Sequence, residues 1–161
     1  MVTDNITLVM RLVDEVWNKC RVDLAEKLLA TDVVVHDSLA VDVRGRESLK
    51  QFILKMHRGF PDLRLTVDDI MASGDEVCLR WTLTGTHTGP FFGLDRTTKH
   101  ASVGGLMVIL VEDGRIVESW ATWNVLNLLQ QLGYLPSIDA IARQADVCVP
   151  SACATQAAGG I

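Results

Sequence analysis

Val77-Cys78-Leu79-Arg80-Trp81-Thr82-Leu83-Thr84 places an apolar residue at every second position, the pattern of a strand with one face in a core. Just upstream, Leu63, Leu65 and Val67 alternate with Arg64, Thr66 and Asp68 in the same way. Ser73-Gly74-Asp75 supplies the turn between these two runs. Downstream, Val103 to Val111 and Ile116 to Trp123 read as a hairpin closed through Glu112-Asp113-Gly114-Arg115. Before residue 60 the period is different. Ile6, Val9, Met10, Val13, Val16 and Trp17 recur at helical spacing. A short helix follows Asp23, read as its N-cap, and buries Leu24, Leu28 and Leu29. Val33 to His36 reads as a strand. Gly45 then precedes a helix with the stripe Leu49, Phe52, Ile53 and Met56, which stops near Gly59 because Pro61 cannot continue it. Val125 to Leu132 forms a last amphipathic helix, ended by Gly133 and Pro136. Helices first and long meandering antiparallel strands afterwards predict an α+β fold whose sheet curls around the helices.

The rest of the composition narrows the function. A chain of 161 residues suits one domain, and 48% hydrophobic residues are too many for a disordered one. A net charge of −5 argues against a nucleic-acid groove. The longest apolar runs, such as Leu106 to Val111, are too short to span a bilayer. Met1-Val2-Thr3-Asp4 carries neither a basic region nor a signal core, so a cytoplasmic protein is expected. Cys20, Cys78, Cys148 and Cys153 include no C-x-x-C pair and none at zinc-ligand spacing with a histidine. Phosphate loops, G-x-S-x-G elbows and H-E-x-x-H helices do not occur. Residues 1–136 are expected to form the domain and 137–161 an extension, with 147–161 read as a mobile tail or an arm on a neighbouring subunit.

Five segments, taken in order, resemble a known family. They are Gly59-Phe60-Pro61-Asp62-Leu63, Ser73-Gly74-Asp75-Glu76-Val77, Gly85-Thr86-His87-Thr88-Gly89-Pro90-Phe91, Asp113-Gly114-Arg115-Ile116-Val117-Glu118-Ser119-Trp120, and Asn124 with Leu128-Leu129-Gln130-Gln131-Leu132-Gly133. Together they are similar to the SnoaL-like polyketide cyclases, or ester cyclases, of the superfamily named after nuclear transport factor two. The resemblance implies a cone: a curved antiparallel sheet around N-terminal helices, with an internal apolar pocket. It also implies a cofactor-free and metal-free enzyme that closes a ring by aldol condensation on an aromatic polyketide ester, and a homodimer. The family's catalytic aspartate falls on Asn124 and its assisting histidine on Met107. An amide takes no proton near neutral pH, and general base catalysis is worth about 10²–10⁴ in rate. Losing both groups removes roughly 3–5 kcal/mol of transition-state stabilisation. Ring closure here needs another base.

Three residues are candidates for that chemistry. Asn124 is read either as a hydrogen-bond donor to an enolate oxygen or as the cap of the following helix. His36 is read as a base oriented by Asp37, or as a rim histidine. His87, in the Gly85 to Gly89 segment, shares parity with Trp81 and Leu83 and is read as either a pocket or a structural residue. His57 and His100 are read as solvated. Trp17, Phe52, Phe60, Trp81, Met107 and Trp120 are candidates for binding an apolar substrate, with core packing the competing reading for each. Trp120 shares parity with Asn124 if the last strand is regular, so Asn124→Asp is expected to place a pKa-raised acid against it. Arg80, Thr82 and Thr84 lie on the opposite strand face and are candidate dimer contacts. A polyketide hydroxylase, a non-catalytic binding protein and a dimerisation scaffold on the same cone are the rival functions.

Overall fold

The computed structural model describes residues 2–39 and 42–146. Cys148, Cys153 and the tail 147–161 lie outside the described residues. The chain opens with α1 (Val2–Arg11), which runs on as a π-helix over Leu12–Asn18 and buries Val9, Val13 and Val16. A 3-10 turn, Val22–Leu24, leads into the four-residue α2 (Ala25–Leu28). Asp23 therefore sits inside the 3-10 turn and caps nothing with its side chain, and Leu29 already belongs to the next strand. β1 (Leu29–Asp37) and β2 (Val43–Arg44) precede α3 (Arg46–Gly59). Gly45, at φ 84°, is the N-cap of α3, a backbone angle that side chains resist. Leu49, Phe52, Ile53 and Met56 are all buried, as their spacing predicts.

β3 (Arg64–Ser73), β4 (Glu76–Thr86), β5 (His100–Glu112) and β6 (Arg115–Trp123) follow, then α4 (Val125–Leu132) and α5 (Ile138–Asp146). The six strands form one curved, unclosed sheet in the order β2-β1-β6-β5-β4-β3. Asp113 and Gly114, at φ 48° and 71°, make the tight β5–β6 turn. Every strand pair is antiparallel except β1 with β6, which run parallel, with His36 opposite Trp120 and Asp37 opposite Ala121. This pairing joins the helical half of the chain to the far end of the meander.

The helices fill the concave face. Fully buried Leu28, Ile53, Leu79 and Ile109 anchor this core, each worth about 1.5–3 kcal/mol. The Asn18 amide brackets the β3 backbone, donating to the Leu65 carbonyl at 2.9 Å and accepting from its N–H at 2.7 Å. Three interruptions in pairing bend the sheet, one between Leu29 and Val34, one between Val67 and Asp69 and one between Leu110 and Val111. The last matters for function. Ile116 is buried, but the next buried residue on β6 is Ser119, an odd step that exchanges the faces of everything after Val117.

Candidate active site

The site lies where β1, β4 and β6 meet inside the cone. Val33 and Val35 of β1 are buried, and period two carries the same face to Asp37. On β6 the exchanged face brings Trp123 inward with Ala121. On β4, Trp81 follows Val77 and Leu79 into the core. Val35, Asp37, Trp81, Ala121 and Trp123, with Trp17, Phe52, Met56 and Met107, line a cavity of about 40 Å³. That is room for roughly three waters. A polycyclic molecule would enter only if the cone opened.

Asp37 supplies the only side-chain oxygen among the described lining residues. Trp123 Nε1 donates to both of its oxygens at 3.2 Å, and the Leu39 N–H donates to Oδ1 at 2.9 Å. Burial pushes the carboxyl above the usual aspartate range, outweighing these hydrogen bonds, which pull it down. A carboxylate in an apolar cavity with a raised pKa is suited to taking and returning a proton.

Trp81 and Trp123 approach each other across β5, with ring centroids 6.5 Å apart. Gly105 pairs with both of them, and a Cβ there would stand 2.4 Å from the Trp81 ring. The absence of a side chain at 105 is what admits the Trp81 indole.

The sequence model of the SnoaL-like polyketide cyclases matches residues 7–132. The chain belongs to this family. Among solved structures, this SnoaL-like chain is similar to a protein from Jannaschia sp. CCS1 described as a SnoaL-like polyketide cyclase, with 25% identity and a TM-score of 0.78. The match covers 84% of this chain and 95% of that one. AclR of Streptomyces galilaeus, described as a hydroxylase, gives 29% identity and a TM-score of 0.76 over 91% and 92% of the two chains. IdmH of Streptomyces antibioticus, described as a polyketide cyclase, gives 30% and 0.70 over 80% and 98%. No curated protein sequence matches significantly. A protein from Catenulispora acidiphila described as having a ketosteroid isomerase-like fold is similar in fold alone, with 16% identity and a TM-score of 0.68 over 78% and 92% of the two chains.

The SnoaL-like cavity gathers Trp17, Phe52, Trp81 and Met107 from the sequence candidates. The other five lie elsewhere. Phe60 stacks on His87 at 5.1 Å and edges Phe91 at 5.2 Å, in an aromatic cluster beside the cavity. His87 is fully buried there, its Nδ1 3.2 Å from Thr97 Oγ1, and burial pushes its pKa down. Trp120 is 42% exposed on the convex face, where His36 stacks on it at 5.5 Å. His36 lies 2.8 Å from Glu118 Oε1 and 3.0 Å from Asp42 Oδ1, and these hydrogen bonds raise its pKa. Asp37 does not orient it, because consecutive strand residues face opposite sides. His57 is half-buried and bonds the Trp17 carbonyl at 2.6 Å, while His100 is exposed.

Asn124 is the exposed N-cap of α4, its Oδ1 accepting from the Asn127 N–H at 2.9 Å. It does not line the cavity, and Trp120 is not beside it in the cone. The expectation of a buried, pKa-raised acid at this position is overturned by the shifted register of β6. Asn124→Asp is therefore expected to keep the cap and add about 0.3–1 kcal/mol of charge–dipole stabilisation. Thermal denaturation measures that gain, and turnover should stay unchanged. The residues that sequence reading missed are Asp37 and Trp123. For Asp37 a signal existed, since Val33, Val35 and Asp37 share parity; for Trp123 none did, because the bulge at Val117 leaves no local mark.

Proposed function

We propose that this chain is a SnoaL-like enzyme acting on an aromatic polyketide ester or similar apolar small molecule, with Asp37 as the group that moves the proton. The observation that carries the reading is the half-buried Asp37 carboxylate, held by the Trp123 indole in an otherwise apolar cavity. The carboxylate removes a proton beside a carbonyl, the enolate carbon attacks a second carbonyl of the same molecule, and the proton returns to the new alkoxide. Such a base takes over the task that Asn124 cannot perform.

The test is ring closure of an anthraquinone ester with no added cofactor, followed as a function of pH. Because burial raises the Asp37 pKa, kcat/KM should climb with pH to a plateau, its midpoint above the ordinary aspartate value of about 3.9. A rate independent of pH across the acidic range would remove Asp37 as the base. The likeness to AclR supports a second reading, hydroxylation of the same class of substrate. Oxygen uptake coupled to substrate loss separates the two.

We also propose a homodimer joined through the convex sheet face. Leu106 is 51% and Trp120 42% exposed there, while Arg80 and Thr82 are engaged by Asp68 of their own chain at 3.5 and 2.8 Å. This support centres the contact on the apolar residues more than on Arg80, Thr82 and Thr84. Light scattering at micromolar concentration should give twice the chain mass, and Leu106→Glu should halve it. A monomeric wild type rules the contact out. Among the described residues no helix is long and apolar enough to cross a membrane. The unpaired thiols of Cys20 and Cys78 fit a reducing, cytoplasmic setting.

A further inference from the structure

Trp81 is 4% exposed and its indole N–H has no hydrogen-bond partner among the described residues. Buried indole N–H groups ordinarily find an acceptor, because leaving one unpaired forfeits the bond it made with water. Among the described residues two other buried side-chain atoms share this condition, Arg46 Nε and His87 Nε2, but neither residue lines the cavity. Trp81 does. Its neighbour across β5, Trp123, spends the same kind of donor on Asp37. The one side-chain oxygen of the lining is thus engaged, and Trp81 is left with a donor that nothing among the described residues meets.

The position of this indole is imposed by the chain. With no Cβ at Gly105, the Trp81 ring lies against the β5 backbone, and any side chain there would displace it. Leu65, Leu83 and Met107 surround the same space with apolar surface. A hydrocarbon would leave the N–H unsatisfied, and a cation would meet a donor where it needs an acceptor.

We infer that Trp81 Nε1 is a ligand-binding donor that holds a carbonyl or phenolic oxygen of the substrate inside the cone, facing the chemistry of Asp37. The inference rests on the cavity being the active site, as proposed above. It narrows the substrate class to planar molecules that carry an oxygen acceptor on the ring system or next to it. When Asp37 removes a proton, negative charge gathers on that oxygen, and a fixed N–H in a water-poor site stabilises it. Trp81 then contributes to the reaction as well as to binding.

Phenol and benzene are single-ring probes that differ by one oxygen; both exceed the 40 Å³ of the closed cavity, so the cone must open to admit them, though less than for a polycyclic molecule. The wild type should bind phenol more tightly than benzene, and Trp81→Phe, which removes the N–H and leaves a smaller ring, should lower the ratio of phenol to benzene affinity about 3- to 10-fold. The Trp81 indole N–H resonance of the wild type gives a second readout that needs no variant: it should move downfield with phenol and stay in place with benzene. If both probes bind and neither Trp81→Phe nor the resonance distinguishes them, the donor role is overturned while the cavity reading stands. If neither probe binds at all, the cavity reading itself falls and takes the donor with it.

Discussion

Asp37→Asn should lower kcat/KM for ring closure by about 10²–10⁴-fold while leaving the fold intact. Asparagine is nearly isosteric with aspartate, and its Oδ1 can still accept from the Leu39 N–H and the Trp123 indole, which now meet Asp37 at 2.9 and 3.2 Å. What it cannot do is take a proton. The same substitution carries a stability signature of opposite sign. Burial raises the folded-state pKa of Asp37 above its unfolded value, so ionising it disfavours the folded state. That penalty is absent at low pH, develops as pH rises from the unfolded value through the folded one, and is fully present above it. Asp37→Asn should therefore be at least as stable as the wild type at neutral pH, with the difference closing in acid. Thermal denaturation and turnover together decide the matter. A rate loss of less than about threefold, or a variant that loses stability in step with activity, would place the base elsewhere.

The second large effect is expected at Gly105. A Cβ there would stand 2.4 and 2.7 Å from Trp81 ring atoms and 2.8 Å from the Thr122 carbonyl oxygen. Non-bonded heavy atoms rest at about 3.5–4.0 Å, and the Thr122 carbonyl belongs to the backbone of β6, which cannot turn aside. Gly105→Ala must push the indole inward or separate a pair of hydrogen-bonded strands. Overpacking of this kind costs about 3 kcal/mol, a fall of roughly 6–12 °C in Tm for a domain of this size. Gly104→Ala is the control: its nearest neighbour would be the Trp81 carbonyl at 3.6 Å, an ordinary contact. If the two alanines behave alike in thermal melts, the close approach of Trp81 to β5 is not a constraint. Shortening the indole should recover some of the loss, so Gly105→Ala with Trp81→Leu should be more stable than the sum of the two single changes.

Much of this protein is legible without coordinates. The stripe Leu49, Phe52, Ile53 and Met56 predicts a helix because one turn takes 3.6 residues, and all four are buried. Asp113-Gly114 predicts the β5–β6 turn because few residues accept positive φ there, and both adopt it. Trp81 and Leu83 point inward because alternation along β4 is uninterrupted from Val77. Each of these rests on a few consecutive residues and on local sterics. Even the facing of Asp37 could be read this way, by counting from Val33 and Val35.

Local rules stop where two distant strands must agree. The parallel pairing of β1 with β6 brings Asp37 opposite Ala121, across more than eighty residues of chain. No periodicity within either strand encodes that contact. The irregularity near Val117 is the sharper case. An alternation begun at Ile116 assigns Trp120 to the cone, yet one extra residue exchanges the faces, putting Trp120 on the convex side against His36 and Trp123 inside against Asp37. A bulge forms because packing on both sides of the sheet favours it, and those neighbours come from other regions of the chain. Periodicity and motifs thus reach as far as the elements and the family. Which tryptophan meets the carboxylate is a matter of tertiary packing, because strand register is settled by partners that lie far away along the chain.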